Sequence, residues 1–348
     1  MCGLGEDEDS CLIRLDEDDE GATRGSLLDA VLRCNQYDPS NYAPVLVSPG
    51  DLQVGYVSGE MLDNLRALTI STRGGYEPVV IGPSPLKRTI GAGGESSINS
   101  EAVWLAPHED DAAGRTRVVA TLVDGLLADG AVPTDKVRNE LQDVRAISSK
   151  GGGALAEAVP LLAMERAAMI NFGVPSLGAH VNGYVTDPAS GRPTAMWLGR
   201  RAMAKPTYPG LWDQIAAGGQ PEGLSFYDNV AKECEEEATL PRDLLDMYIR
   251  PAGLVSYRYA ARRGLSSKTL AVYDLPLPPG VKPSNGDGEV DEFELMSMDA
   301  VAACLRDDLP SWKPNSALVA IDFLVRHGFV GPDDEDYLDI CHLLRAAP

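Results

Sequence analysis

Four glutamates lie in one short stretch of the chain, Lys232-Glu233-Cys234-Glu235-Glu236-Glu237. Three of them, Glu233, Glu236 and Glu237, are spaced i, i+3 and i+4, so in a helix they share one face. Carboxylates held this close repel one another and raise one another's pKa unless a cation neutralises them. A hard divalent cation, Mg2+ or Mn2+, takes oxygen ligands and leaves positions for a phosphorylated substrate. From the charge run alone, a solvated acidic helix face is the other interpretation.

The residues before these glutamates predict the elements that position them. Leu211 to Ala217 is strand-like, Gly218 to Gly223 is a glycine-rich loop, and Ser225 with Asp228 fits a capping box at the start of the helix. The order strand, loop, helix brings loop backbone and helix carboxylates to one site. Lys232 either orients these carboxylates or forms an ordinary i, i+4 salt bridge on the helix.

The spacing from Gly218 to Lys232-Glu233-x-x-Glu236-Glu237 resembles the Nudix box, G-x5-E-x7-R-E-U-x-E-E-x-G-U. Lys232 replaces the box arginine, Thr239 replaces the terminal glycine, and the first box glutamate falls at Leu224. The register of the helix therefore matches the motif, whereas two registers are open for the loop: counting from Gly218 places Leu224 at the first glutamate, and counting from Gly219 leaves the loop one residue short. The metal ligands that this resemblance implies are Glu233, Glu236, Glu237 and a backbone carbonyl at or beside Gly218.

Segments outside the box resemble Nudix proteins related to thiamin pyrophosphokinase, and the resemblance covers nearly the full chain from about residue 26. Within that branch the first box glutamate is also replaced. The segments are Glu165-Arg166-Ala167-Ala168, His180-Val181-Asn182-Gly183-Tyr184, Arg200-Arg201 with Lys205 and Tyr208-Pro209-Gly210, Asp287-Gly288-Glu289-Val290, and Lys313-Pro314-Asn315.

This resemblance implies an α/β protein, a Nudix α/β/α sandwich with a mixed sheet, preceded by a small α+β accessory domain. It also implies an activity that depends on Mg2+ or Mn2+, the hydrolysis of thiamin-type diphosphates to the monophosphate and phosphate. The implied substrates are oxothiamin, oxythiamin and thiamin diphosphate, and the implied role is metabolite repair. A broad hydrolase of ADP-ribose type, an isoprenoid-type isomerase with Cys234 or another thiol as nucleophile, and a non-catalytic diphosphate-binding module are the alternatives.

Charged residues outside the helix are further candidates. Arg201 and Lys205 could hold a diphosphate through charge-assisted hydrogen bonds, and Asp213 could orient Lys205 or contact a substrate ring. Glu289 and Glu292, in a predicted loop before the Met298 helix, could supply a further carboxylate; a solvated turn is the alternative. The predicted substrate-binding residues are Arg201, Lys205, Asp213, Gly218 and Gly219, and the predicted catalytic residues are Lys232, Glu233, Glu236, Glu237, Glu289 and Glu292.

Length and charge limit the classes of protein that fit. The chain has 348 residues with 30 basic and 52 acidic side chains, a net charge of −22. Such a charge disfavours nucleic acid and anionic membranes as partners, and no apolar run is long enough to span a bilayer. We therefore expect a cytoplasmic enzyme with a small-molecule diphosphate substrate, or an organellar one if a presequence has been removed.

The domain organisation follows from composition. Residues 1–25 carry nine acidic side chains and predict a disordered tail. Ser148 to Gly153 is polar and glycine-rich and predicts a linker. We therefore expect an accessory α+β domain at 26–147 and the Nudix domain at 148–348. Just after the linker, Leu161 to Phe172 is apolar at helical spacing and predicts a helix.

Overall fold

A computed structural model of the chain describes residues 26–38, 41–48, 51–68, 77–85, 101–147 and 159–345. The predicted acidic tail, 1–25, and the predicted linker, 148–153, lie outside the described residues.

A four-stranded sheet with helices forms most of the N-terminal unit. Its strand order is β2-β1-β4-β3, with β1 parallel to β4 and the other pairs antiparallel. Asp111 accepts a hydrogen bond from the Gly114 amide and so begins the long helix α3. The elements are β1 (Tyr42–Val47), β2 (Leu52–Ser58), α2 (Gly59–Ala67), β3 (Val79–Pro83), β4 (Glu101–Leu105) and α3 (Ala112–Ala128).

A second, seven-stranded sheet follows, with the path β11-β12-β7-β8-β13. It is mixed, because β7 is parallel to β12 and antiparallel to β8. Residues 178–181 of β7 pair with β10, whereas residues 183–186 pair with β8. The strands are β7 (Ser176–Thr186), β8 (Pro193–Arg201), β9 (Trp212–Asp213), β10 (Ala216–Gly219), β11 (Arg250–Ala261), β12 (Gly264–Pro276) and β13 (Val290–Ser297).

Helices cover both faces of this second sheet, which confirms the predicted mixed α/β architecture. Side chains alternate between the two faces of a strand. On β12, Leu270 and Val272 belong to one core, with α1, α7, α8 and α9, and Leu275 belongs to another, with α5 and α6. The helices are α1 (Leu27–Arg33), α5 (Phe226–Ala238), α6 (Arg242–Tyr248), α7 (Met298–Asp307), α8 (Pro314–Arg326) and α9 (Tyr337–Leu343).

Some elements of the N-terminal unit pack in the core of the second unit, which is built on the seven-stranded sheet, and some elements of the second unit pack in the core of the first. Helix α1 packs in the core of the second sheet, whereas β6 (Leu162–Glu165) and α4 (Arg166–Met169) pack in the core of the first. Strand β5 (Leu141–Val144) pairs with β6 across the predicted domain limit, and the limits at 147 and 148 stay a prediction. The helix predicted over Leu161 to Phe172 is wrong at its start, because pairing with β5 holds residues 162–165 extended.

The two units are joined by backbone hydrogen bonds. The Tyr56 amide donates to the Phe172 carbonyl at 2.7 Å, and the Glu222 amide donates to the Leu141 carbonyl at 2.9 Å. Gly173 has φ +55°, and a Cβ there would overlap the Tyr56 backbone, so only glycine allows this approach. In the described ranges, no helix is both long and apolar enough to cross a membrane.

Buried ion pairs connect α8 to β12. Arg326 donates to both oxygens of Asp274, at 2.5 and 3.0 Å, and to Asp322 at 2.7 Å. Asp322 is 1% exposed. Burial opposes ionisation of Asp274, but its hydrogen bonds from His327 and Arg326 outweigh burial and lower its pKa. Removing one cation from such a network leaves buried carboxylates without compensation.

We expect Arg326→Met to destabilise the protein by about 3 kcal/mol, because breaking a buried pair costs more than the pair contributes. Urea denaturation followed by circular dichroism measures this change. Arg306→Met on α7 is the control, since Arg306 forms no ion pair with any residue that the structure describes. A loss for Arg326→Met no larger than that of the control would contradict the structural role of this network.

Candidate active site

Helix α5 carries the predicted glutamates, and both of its ends are fixed by polar contacts. Ser225 accepts a hydrogen bond from the Asp228 amide at 3.1 Å, which begins the helix as expected. Thr239 ends the helix in the left-handed conformation, with φ 54°. This conformation is the reason for glycine at that position of the motif. At Thr239 the side chain offsets part of the cost by donating to the Ser284 carbonyl at 2.8 Å.

Two glutamates of α5 point toward strand β10. The Ala217 amide donates to Glu237 at 2.9 Å, and Glu237 is 8% exposed. Burial, reinforced by the negative charge of Asp213, raises the pKa of Glu237 to about 8. Glu233 lies directly against Gly218, where a Cβ would overlap its carboxylate, and burial also raises the pKa of Glu233. Gly218 thus makes room for Glu233.

Lys232 lies between the carboxylates of Glu233 and Glu236. Its amine is 3.0 Å from Glu233 and 3.0 Å from Glu236. Partial burial opposes its charge, but hydrogen bonds to Glu236 and Glu233 outweigh burial and raise the pKa of Lys232. Lys232 therefore forms the predicted i, i+4 salt bridge to Glu236 and also contacts Glu233, and its role in orienting these carboxylates stays a prediction.

A cluster around Asp213 adds two cations to the site. Asp213 accepts from Arg201 at 3.0 Å, from Lys313 at 2.7 Å and from the Ser316 hydroxyl at 2.5 Å. Burial opposes its ionisation, but Lys313 and Arg201 hold the pKa of Asp213 far below its usual range. Asp213 is buried behind the cations that face the cavity, and it orients Arg201 and Lys313 rather than Lys205.

The predicted acidic loop at 289–292 is partly a strand. Glu289 precedes β13 and contacts Lys205 at 2.5 Å, and both residues line the cavity. Glu292 lies within β13, pairs with Arg200 at 3.3 Å and is 61% exposed. The structure therefore brings Glu289 to the site and does not bring Glu292 there. The pairing of β13 with β8 places Glu292 opposite Arg200, whereas Glu289 precedes the first residue of that ladder, Val290.

His180 lies inside the site with both ring nitrogens bonded. Nδ1 is 2.7 Å from the Gln214 side-chain oxygen, and Nε2 is 3.3 Å from the Asn315 amide nitrogen. Burial, with the nearby charge of Lys313, lowers the pKa of His180 to about 4. The ring is therefore neutral near pH 7, with the Nδ1 proton donated to Gln214 and Nε2 accepting from Asn315.

Glu233, Glu236 and Glu237 line one cavity of about 660 Å3 between the two units, together with Lys205, Lys313 and Glu289, whereas Asp213 and Glu292 do not line it. It contains Gly218 and Gly219, whereas Leu224, at the position of the first box glutamate, lies 38% exposed outside it. The basic residues that line it are Lys136, Arg138, Arg166, Arg201, Lys205, Lys232, Arg263, Lys268 and Lys313. The acidic residues are Glu140, Glu233, Glu236, Glu237, Asp287 and Glu289.

Several lining residues were not identified as site residues from the sequence. Lys313 and Arg166 stand in segments of the family resemblance, which is the signal that could have pointed to them. Arg138 and Gln142 belong to the N-terminal unit and carry no motif. Only the packing of β5 beside the glycine-rich loop brings them to the cavity, where the Glu222 amide donates to the Leu141 carbonyl at 2.9 Å.

The donor atoms fit a hard divalent cation in type, although they are not preassembled around one. In the part of the chain that the structure describes, no three His, Cys, Asp or Glu side chains are arranged to hold a metal ion. Glu237 is turned to the Ala217 amide, and Lys232 stands between Glu233 and Glu236. The pKa values of Glu233 and Glu237 are raised because burial disfavours their charged forms. A bound divalent cation would stabilise the charged carboxylates and accept them as oxygen ligands.

Comparison with known proteins identifies the segment that holds this site. The NUDIX domain family model matches residues 177–317. Nudix hydrolase 20, chloroplastic, of Arabidopsis thaliana is 39% identical over 231 residues, 66% of this chain and 58% of that protein. Nudix hydrolase 24, chloroplastic, of the same plant is 40% identical over 231 residues, 66% of this chain and 59% of that protein. The chain thus spans less than two thirds of the length of these relatives.

Solved structures also resemble the chain, at low identity. DR0079 from Deinococcus radiodurans has a TM-score of 0.39 and 15% identity, covering 53% of this chain and 99% of that one. The NUDIX domain of Shewanella oneidensis NrtR, complexed with ADP ribose, has a TM-score of 0.34 and 14% identity, covering 47% of this chain and 99% of that one.

The matched segment runs from β7 into α8 and contains the α5 glutamates, the Asp213 cluster and Glu289. The candidate site therefore lies within the part of the chain that resembles the NUDIX domain family.

Proposed function

We propose that the protein hydrolyses a phosphoanhydride bond of a small-molecule diphosphate with the help of Mg2+ or Mn2+. One observation carries the proposal: Glu233, Glu236 and Glu237 of α5 share one cavity with Lys205 and Lys313. The carboxylates provide oxygen donors for cations, and the two lysines provide positive charge for phosphate oxygens.

Different residues of the cavity would hold the metal and bind the phosphate oxygens. When bound, the metal would neutralise phosphate charge and lower the pKa of a coordinated water; Glu233, Glu236 and Glu237 would hold it, with a carbonyl at or beside Gly218. Lys313 and Arg201, fixed by Asp213, bind phosphate oxygens in a set orientation.

Glu289 is the carboxylate best placed to receive the proton of the attacking water. It contacts Lys205 in the structure, and phosphate binding to Lys205 would release it.

The substrate that we propose is a thiamin-type diphosphate, such as oxothiamin or oxythiamin diphosphate, with a role in metabolite repair. Support comes from the resemblance of the segments around the box. The same carboxylates would serve hydrolysis of ADP-ribose-type substrates. An isomerase with Cys234 as nucleophile is disfavoured, because Cys234 lies in the core and burial raises the pKa of its thiol.

The absence of nucleic acid and membrane partners and a cytoplasmic location stay predictions. The two plant relatives are named as chloroplastic, which fits the organellar alternative.

We expect Glu236→Gln to lower kcat by about 100- to 1,000-fold, since the metal that it would hold contributes several kcal/mol to the transition state. Phosphate release from oxothiamin diphosphate with Mg2+ measures the effect. Glu235→Gln is the matched control, because Glu235 is exposed on the same helix and does not line the main cavity. Equal rates for the two variants would contradict the assigned mechanism.

A second prediction concerns Gly218. An added methyl group would overlap the Glu233 carboxylate, so Gly218→Ala should displace that side chain and lower kcat by at least about tenfold, the equivalent of 1.4 kcal/mol. Gly59→Ala is the control, since no atom lies within 4 Å of a Cβ built there. Activity assays and urea denaturation should be run together. Full activity of Gly218→Ala would show that Glu233 does not need its present position.

A substrate panel separates the proposed activities. We expect phosphate release from oxothiamin diphosphate to exceed turnover of thiamin diphosphate, ADP-ribose and isopentenyl diphosphate in the presence of Mg2+. Faster turnover of ADP-ribose would replace the substrate proposal while keeping the reaction. Tight diphosphate binding without any phosphate release would support the non-catalytic module.

A further inference from the structure

The buried side chain of Gln214 begins a chain of hydrogen bonds that ends in the cavity. Its amide nitrogen donates to the backbone carbonyl of Ser316 at 2.9 Å. Because a carbonyl oxygen can only accept, this contact fixes which end of the Gln214 amide is the nitrogen. The side-chain oxygen of Gln214 is therefore the atom that lies 2.7 Å from Nδ1 of His180.

His180 transmits this orientation to Asn315. Since Gln214 presents an oxygen, Nδ1 of the ring carries the proton, and in a neutral ring Nε2 is then an acceptor. Nε2 lies 3.3 Å from the side-chain nitrogen of Asn315. His180 is 3% exposed, and its strand pairs with β10 on one side and with β12 on the other. The ring thus has a fixed position from which it orients the Asn315 amide.

The side-chain oxygen of Asn315 is left as an acceptor. With the nitrogen directed to His180, this oxygen accepts no hydrogen bond from any residue that the structure describes. Asn315 is half-buried, and it lines the cavity. An acceptor that faces a cavity without a protein donor is available to an N–H or O–H group of a ligand.

The backbone that carries Asn315 is also held in place. Asn315 is the second residue of α8, and the start of this helix is tied to Asp213 of β9. The Ser316 hydroxyl donates to Asp213 at 2.5 Å, and the Lys313 amine donates to it at 2.7 Å. A side chain that is already ordered loses little conformational entropy when a ligand binds, so Asn315 is suited to selective recognition.

The chemistry of the neighbouring groups indicates what Asn315 recognises. Lys313 and Arg201 are donors, which suit phosphate oxygens, whereas an amide oxygen and a phosphate oxygen repel each other. An ionised diphosphate offers acceptors only. The donor for the Asn315 oxygen therefore has to come from the organic half of the substrate.

We propose that Asn315, held by His180 and Gln214, recognises an N–H or O–H donor on the organic half of the substrate. The proposal rests on the proposed function in that the diphosphate occupies the α5 end of the cavity. In oxothiamin diphosphate the only such donor is the exocyclic amine of the pyrimidine ring. Asn315 is then a specificity-determining residue, and His180 and Gln214 are positioning residues that act through it.

The test compares two ligands that differ only in this donor and contain no phosphoanhydride, so that they are not cleaved. They are oxothiamin monophosphate and its analogue with a methyl group in place of the exocyclic amine. Binding of each ligand to the full chain is measured by isothermal titration calorimetry with Mg2+. We expect the amine to bind about three- to tenfold more tightly, which is the gain from one neutral hydrogen bond.

Variants assign this preference for the amine to Asn315. Asn315→Leu and the smaller Asn315→Ala should reduce it to less than about twofold. His180→Leu should reduce it similarly, whereas His180→Gln should keep most of it, because a glutamine oxygen can accept from Asn315. His342→Leu, at an exposed position of α9 outside the cavity, should keep the full preference. The preference is a ratio within one variant, so a general loss of binding does not produce the expected result.

Equal affinities of the unmodified protein for the two ligands, no binding of either, or a full preference in Asn315→Leu would overturn the proposal. A full preference in His180→Leu would overturn the positioning role of His180. Failure of the proposed function has a different signature, which is absence of phosphate release from the diphosphates with the preference for the amine retained.

Discussion

The hydrogen bond from the Ala217 amide to the buried Glu237 carboxylate fixes helix α5 against strand β10, and the site depends on this contact. A carboxylate removed from water needs compensation, and one amide supplies only part of it, which is why the pKa of Glu237 reaches about 8. With α5 docked in this way, Glu233 falls against Gly218, one turn earlier on the same face. The negative charge of these buried carboxylates is only partly compensated by protein groups, and a bound cation would compensate the rest.

The positive groups of the site are positioned by a second buried carboxylate. Asp213 accepts hydrogen bonds from both Arg201 and Lys313. Because its carboxylate is ionised, it holds these two positively charged side chains close together despite their mutual repulsion. Global charge and local charge therefore have opposite signs. The chain carries −22 overall, yet basic residues outnumber acidic ones in the lining of the cavity taken as a whole, so an anion there meets a more favourable field than the net charge of the chain implies.

Local sequence patterns predicted much of the fold, and long-range pairing explains what they missed. The periodicity around Glu233 and the cap at Ser225 define α5 within one residue of its observed start, because both signals act within the helix. Residues 162–165 are helical in pattern and extended in the structure, because β5 supplies hydrogen bonds from a distant segment. Glu292 lies outside the site for the same reason, since the register of β13 on β8 pairs it with Arg200, whereas Glu289 precedes the strand.

The cavity could not be predicted from the sequence, because it is lined by residues of both units and no sequence motif indicates that the two units contact each other. Arg138 and Gln142 come to the glycine-rich loop because β5 packs beside it, and Gly173 allows β2 to approach the segment that leads into β7. The exchange of α1 and of β6 with α4 between the two cores makes the units interdependent in packing. The buried hydrogen bond from the Ser176 hydroxyl to the Gln142 side chain fixes β5 against β7, so the part of the cavity lining that comes from the N-terminal unit is held by the same sheet that carries β10.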